Sequence, residues 1–560
     1  MRKLICLALG TALCLGAAAQ TWQDALLFSE NNYLGTARSV GMGNALTAVG
    51  GDPGSLTFNP AGSAVAGYSQ FVITPAYTLS VANVKGSPYM DYPLMADAVN
   101  TKYGRLSVPN FGFIFTHDTG RRHGIKRVSY GLVVNASNNY TDRFNAAGVN
   151  DDNSYAASLA SSADGFAAPV LANEDWYYSG DASRMPAWVD MTGYRAGLYN
   201  GVTDRPGAYI AVTEIMDANG NFRLAAPLYQ QYGQQAYGSK KETVLNYAIN
   251  ISDKFYLGAN LGFTSLRYRM NEYWFERPDN DDDFPMVQYS DGSSAQFESL
   301  RMKRNFELDG VGIYLKLGAL WRPVAGLRLG AAIQTPTMMD LTERYGYTAE
   351  LNMKGRYYGP ASSPEDEWIY ALRTPFRFNA GVAYTVGAVG MVSADYEYCN
   401  YSKAGFRSRS EYDGYAAGPF SDVNADIADI MGASHQLRVG LECRPTQAFS
   451  LRAGYNLITS AQVNTLDASF NPHPLSSDDL KALAKHSVAV GAGYSFGSLY
   501  LDAALRARFV PEEYVIPYSY YYAPNSSQYY YKDVDDGILT PEVVVKRSAF
   551  DALVTLGWRF

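Results

Sequence analysis

The chain is short of cysteine, of histidine, of charge and, past its first residues, of any long apolar run. Each shortage removes a class of protein. Four cysteines occur in 560 residues, two of them in the leader, so Cys399 and Cys443 are too few for a disulfide framework. No later apolar run reaches the ~20 residues that a helix needs to span a bilayer. His117, His123, His435, His473 and His486 are the only histidines, and no HExxH, GxSxG or CxxC pattern accompanies them. No enzyme is expected, and no cofactor. Charged residues make up 18% of the chain, the net charge is −8 and no basic run occurs, which speaks against a nucleic-acid partner.

What is present is aromatic and small. The sequence holds 45 Tyr, 25 Phe, 7 Trp and 51 Gly, the usage of a large all-β protein. The opening MRKLICLALGTALCLGAAAQ has Arg2 and Lys3, an apolar run and then Ala17, Ala18 and Ala19, the pattern of a secretory signal peptide over residues 1–19. The mature chain therefore leaves the cytoplasm.

Strands recur in pairs. ETVLNYAINIS meets FYLGANLGFTSLRYRM across Asp253 and Lys254, FRFNAGVAYTV meets VGMVSADYEY across Gly387 and Ala388, and VAVGAGYSF meets LYLDAALRARF across Gly497 and Ser498. Each is a tight hairpin. The opposite connections are long: 144–240, 279–299, 403–433, 461–484 and 512–542. Tight turns at one end and long loops at the other belong to a membrane barrel, and counting the strands gives about fourteen, an even number. Parity agrees. Leu437, Val439, Leu441 and Cys443 alternate with Arg438, Gly440, Glu442 and Arg444, an apolar face for lipid and a charged one for a barrel interior. By the same parity Cys399 faces inward near the loop end and Cys443 outward near the turn end, so no disulfide is expected. His435 and His486 face outward near the rim, with Ser434 and Ser487 on the opposite face. The predicted fold is all-β: a 14-stranded antiparallel transmembrane β-barrel over residues 69–560.

Residues 20–68 do not alternate and are dense in glycine, as suits a compact plug in the lumen. Here the sequence resembles a family. Residues 38–48 followed by FNPAGSA look like the amino-terminal hatch of FadL-type transporters of hydrophobic compounds, whose Asn-Pro-Ala motif matches Asn59, Pro60 and Ala61. SVPNFGFIF, AAIQTPT, RTPFRFNAGVAYTVG, SADYEYCNYS and GAGYSFGSLYLDAAL are similar to the version found in Bacteroidetes-type bacteria. The resemblance implies a bacterial outer-membrane protein with a gating hatch and passive uptake of long-chain fatty acids or other hydrophobic molecules. In that family loops capture the ligand, and it leaves sideways beside a kinked strand after the hatch shifts, so the same route is expected here. NASNNYTD at 135–142 interrupts its strand and is the place for such a kink.

Trp176, Tyr177, Tyr178, Leu228 and Tyr229, in aromatic stretches of the largest loop, are candidates for capture, set against the loop's own core or an interfacial girdle. The tyrosines of YSYYYAPNSSQYYY are read as rim residues of the last hairpin. DNDDD at 279–283 has the opening spacing of a calcium loop, but Phe284 and Ser290 stand where glycine and glutamate are needed, so a solvated acidic tip is expected and no metal site. The chain ends on FDALVTLGWRF, a closing strand whose Trp558 and Phe560 resemble the signal read by the barrel assembly machinery. The expected partners are thus a hydrophobic ligand, outer-membrane lipid and that machinery. A general porin, and an adhesin or receptor (including one for a haem-type ligand) anchored by the barrel, are the competing readings.

Overall fold

The computed structural model describes residues 20–560 apart from 89–93, 175–185, 289–291, 410–418, 467–470, 520, 523–529 and 532–539. The leader at 1–19 lies outside the described residues. None of their helices is long and apolar enough to cross a membrane, which says nothing of strands.

Fourteen antiparallel strands close on themselves. They are β1 (Gln70–Gly86), β2 (Val99–Asp118), β3 (Ile125–Asn139, resuming as Asp142–Asn150), β4 (Leu228–Ile251), β5 (Phe255–Pro278), β6 (Ser294–Trp321), β7 (Leu327–Gln334 and Met338–Lys354), β8 (Asp366–Arg373 and Arg377–Val386), β9 (Gly390–Asn400 and Gly405–Ser408), β10 (Ala433–Cys443), β11 (Phe449–Ile458), β12 (Lys485–Phe496), β13 (Leu499–Phe509, continued as Glu513–Val515) and β14 (Val543–Arg559). Closure is a ladder between the two ends of the chain, from Gln70 opposite Arg559 to Gly86 opposite Val543. The first and last strands thus cover each other's edges.

The tight turns fall where the sequence puts them. Ile251 pairs with Phe255, Val386 with Gly390 and Phe496 with Leu499. The loops need a correction. The 144–240 connection shrinks to 151–227, because β3 and β4 continue to Asn150 and from Leu228; β5 and β6 likewise run past their apolar stretches. In these extensions the strands stay paired but stand clear of lipid, so the apolar alternation that marks a strand in the sequence has no cause there.

Side-chain parity sets the two surfaces. Leu437, Val439 and Leu441 are exposed on the outer face, whereas Arg438 and Glu442 are buried in the lumen. On β5 the outward residues Phe255, Leu257, Leu261 and Phe263 give way to Arg267. Nine residues on a tilted strand cover roughly 20–25 Å, the height of a lipid-facing band. Both cysteines are free, Cys399 buried and Cys443 exposed. Phe560 closes the seam: it and Ser69 exchange backbone hydrogen bonds of 3.0 and 3.1 Å, and its ring stacks on Phe113.

Residues 20–68 fill the lumen as helix α1 (Trp22–Ser29), toward the loop end, then helix α2 (Ala37–Gly41) and two 3₁₀ turns, Pro53–Thr57 and Pro60–Val65, toward the turn end. Each start is capped locally. Thr21 and Asp24 form a capping box, and Thr36, Asp52 and Asn59 accept from backbone N–H groups two or three residues on. The wall meets this segment with glycine. A Cβ on Gly454 would stand 2.0 Å from the Gly43 nitrogen, on Gly318 2.1 Å from the Asn59 side-chain oxygen, on Gly330 2.3 Å from the Thr47 carbonyl oxygen and on Gly258 2.5 Å from the Ala61 nitrogen. Four strands thus give up a side chain so that hatch backbone and wall backbone touch.

Adding one methyl at Gly454 or Gly318 forces the hatch off its seat, at a cost of about 1–3 kcal/mol. We expect Gly454→Ala and Gly318→Ala barrels to conduct ions in planar bilayers where the parent is closed. Gly359→Ala, a position with open space around it, is the control that stays closed.

Candidate transport path

The Asn59-Pro60-Ala61 motif is a staple between hatch and wall. Asn59 accepts from the Ala61 N–H at 3.1 Å and donates to the Thr47 carbonyl at 2.8 Å and to the Ala319 carbonyl of β6 at 3.0 Å. The Pro60 carbonyl accepts from Asn246 of β4 at 2.9 Å. Around it the lumen wall presents cations to hatch carbonyls that no helix satisfies. Lys240 donates to the Phe28 and Glu30 carbonyls at 2.7 and 2.8 Å, Arg377 to Ser29 at 2.6 Å, Arg328 to Val49 at 2.7 Å, and Lys316 to Thr57. Carboxylates hold the other polarity: Asp395 accepts from the Thr47 N–H at 2.7 Å, and Glu442 pairs with Arg38 at 2.9 Å.

Above this seat the lumen is greasy. α1 turns Ala25 and Phe28 into a buried cluster with Tyr140, Tyr268, Leu308 and Phe406. The Phe28 ring meets Tyr268 edge-on at 5.5 Å, and Tyr140 meets Tyr268 at 5.2 Å. The helix itself fills the space between these apolar wall residues.

Tyr140 lies at the break in β3. The β2–β3 ladder runs only from Asp118 opposite Arg127 to Asn110 opposite Asn135. Beyond it Pro109 has no N–H to offer, and on β3 Asn138 and Asn139 turn their side-chain oxygens on the backbone, accepting from Asn139 and Thr141 N–H at 2.9 and 3.0 Å. The strand bends inward as a result. Asn139 reaches Thr78 at 3.0 Å, and Asp142 takes Ser80 and Arg547 at 2.8 Å each. From there to its far end β3 pairs with β4 and not with β2, and β2 reaches across it to β4. Tyr103 accepts from Gln235 at 3.2 Å, and the Arg105 guanidinium lies 4.8 Å from the centre of the Tyr237 ring. Residues 95–97 close the top through Met95 and Asp97 N–H bonds to Val149 and Ala147. Hatch residues supply part of what β2 withholds: Asn32 and Leu34 N–H donate to the Ser137 and Ala136 carbonyls at 2.6 and 2.9 Å.

The 151–227 loop folds into a cap with helices α3 (Tyr155–Ala163), α4 (Ala168–Ala172) and α5 (Trp188–Arg195) over the tall strands. Of the predicted capture residues, Leu228 is fully buried in the cap's own core, and Tyr229 stacks against Arg277 at 4.8 Å. Trp176, Tyr177 and Tyr178 lie outside the described residues. Tyr518, read as a rim tyrosine, is instead drawn into the cap, where it accepts from Gln230 at 2.7 Å and donates to Asn153 at 2.8 Å. The outward histidines pair with tyrosines, His435 with Tyr396 at 2.7 Å and His486 with Tyr455 at 2.8 Å, while Ser434 and Ser487 are buried on the other face. Sequence reasoning missed Tyr103, Arg105, Gln235 and Tyr237. Pro109 in SVPN was the signal that a neighbouring ladder must stop.

Together these features define a closed, lipid-facing barrel whose lumen is filled by residues 20–68 and whose wall is unpaired along one seam. No family model matches the chain, and no curated protein matches it. Among solved structures it is similar to a FadL homologue of Pseudomonas aeruginosa (13% identity, 95% of this chain and 100% of that one, TM-score 0.48). It is similar also to the toluene transporters TodX of Pseudomonas putida (12%, 95% and 99%, 0.46) and TbuX of Ralstonia pickettii (13%, 95% and 100%, 0.44).

The cap carries a pH dependence. Burial pushes the Asp190 carboxyl up to about 7, Glu214 to about 7 and Asp164 to about 6. Their folded pKa values lie above the unfolded ones, so the stability they contribute is full below pH ~4 and falls as pH rises toward ~7. Papain should cut the cap faster at about pH 8 than at about pH 5, and Asp190→Asn should flatten the difference.

Proposed function

We propose that the protein is an outer-membrane channel for passive uptake of hydrophobic molecules, long-chain fatty acids or compounds of similar polarity. The ligand enters from the cap side, occupies the chamber over the hatch and leaves sideways between β2 and β3. The observation that carries this reading is the inward departure of β3 from β2 beside an apolar cluster packed on α1, with hatch residues 32–34 bonded to the departing strand. A shift of the hatch strips Ser137 and Ala136 of those donors and frees β3 to move. Lateral release is also what the solute favours: each CH₂ gains roughly 0.8 kcal/mol on re-entering hydrocarbon and nothing on entering water. α1 acts as a stand-in for the ligand and must be displaced from Tyr140 and Tyr268 before a chain can bind. Capture begins at the cap, with Leu228, Tyr229 and the Trp176–Tyr178 aromatics, once the cap opens. The leader and the terminal Trp558 and Phe560 direct the chain to the outer membrane.

A general porin needs a water-filled lumen, and this one is filled. Uptake of labelled oleate by cells with and without the protein is the test. We expect uptake to depend on the protein and to fall about tenfold when Ser137→Pro disturbs the strand that faces the hatch. Equal uptake with and without the protein, with the cap still binding host proteins, would make it an anchored receptor.

A further inference from the structure

Away from this path, at the turn end, hatch and wall part around a polar cavity of about 120 Å³ lined by Arg38, Asp52, Tyr68, Arg452, Tyr500 and Arg559 among others. Its carboxylates are already engaged. Glu442, just behind the lining, is shared by Arg38 at 2.9 Å, Arg444 at 2.7 Å and Arg452 at 2.9 Å. Asp502 takes Arg452 at 2.5 Å, and Asp52 accepts from Thr36 and the Gly54 N–H at 2.8 Å each.

Arg559 is different. It makes no ion pair and no side-chain hydrogen bond among the described residues, and its Nε is buried without a partner. The guanidinium is held instead by two rings, 4.4 Å from the centre of Tyr500 and 5.2 Å from that of Tyr68. Stacking of this kind fixes the plane of a guanidinium and leaves its N–H edge for an acceptor. A cation so placed, in a polar cavity open to the aqueous side, lacks only its anion. The space holds about four waters at ~30 Å³ each, which fits a carboxylate or a phosphate and excludes an acyl chain.

We propose that this mouth is an oxyanion site anchored by Arg559. The bound anion also faces Arg38, the hatch's own contribution to the lining, and competes for it with Glu442. Occupancy therefore loosens one of the ion pairs that hold the hatch to β10. The site goes beyond the uptake reading and does not depend on it.

The test uses the full-length protein in detergent, titrated calorimetrically with inorganic phosphate and with acetate against chloride at equal ionic strength. Saturable binding of phosphate, acetate or both beyond chloride is expected, and the tighter of the two names the source. Arg559→Gln should weaken it about tenfold, as the loss of one charge-assisted contact does, with Arg559→Lys intermediate. Because Arg559 adjoins Trp558 and Phe560, a second variant is needed: Ser450→Glu, on the cavity rim, tethers a carboxylate in the site and should abolish binding in a barrel whose gel mobility still shifts on heating. Binding no stronger than chloride, or binding that Ser450→Glu leaves unchanged, overturns the proposal.

Discussion

Everything in this molecule depends on the contact between hatch backbone and wall backbone. A fourteen-stranded barrel encloses a lumen wider than its own inward side chains fill, and this chain fills it with residues 20–68 rather than with water. Shape does the sealing, because wall glycines let main chain meet main chain. Charge does the holding, because lysines and arginines of the wall answer hatch carbonyls that have no helical partner. Neither works alone. Glu397, buried between Arg377 at 2.9 Å and Arg438, shows why: ions this deep are tolerable only when fully partnered, and losing one partner from such a group costs about 3–5 kcal/mol.

The seal is uneven, and the unevenness gives the barrel a direction. β10 through β14 pair continuously, while β2 and β3 separate above Asn110 and Asn135. The strand that leaves the wall is the one the hatch bonds to, and the residue at its break, Tyr140, is packed against Phe28 of α1. Plug, chamber and seam therefore share one set of contacts. A change at any of them reaches the others through no more than two residues.

Much of this was legible in the sequence, and the rest was hidden for identifiable reasons. HQLRVGLECR announces its two faces because one meets hydrocarbon and the other buried charge; with the long loops gathered at one end, that alternation fits a barrel wall better than a sandwich core. The hairpins were legible because a turn of two or three residues leaves little freedom about pairing. The polar run NASNNYTD marked the place where β3 breaks, since asparagines that bond their own backbone stop a ladder. The tall extensions of β4, β5 and β6 were not legible, because a strand paired in water above the membrane has no apolar face to show. Nor was the place of Leu228 or Tyr518, whose burial is decided by a cap assembled from segments more than 200 residues apart.

The central claim is that the hydrophobic passenger leaves through the wall and not past the hatch. A fatty acid carrying a photoreactive diazirine near its tail, added to the full-length protein in lipid vesicles and cross-linked after entry, reports the route directly. Labelled peptides should come from β2 and β3 around Tyr103, Asn138 and Tyr140. Labels on Arg444, Gln447 and Ser450 at the turn-end mouth, with none on the seam, would contradict the account.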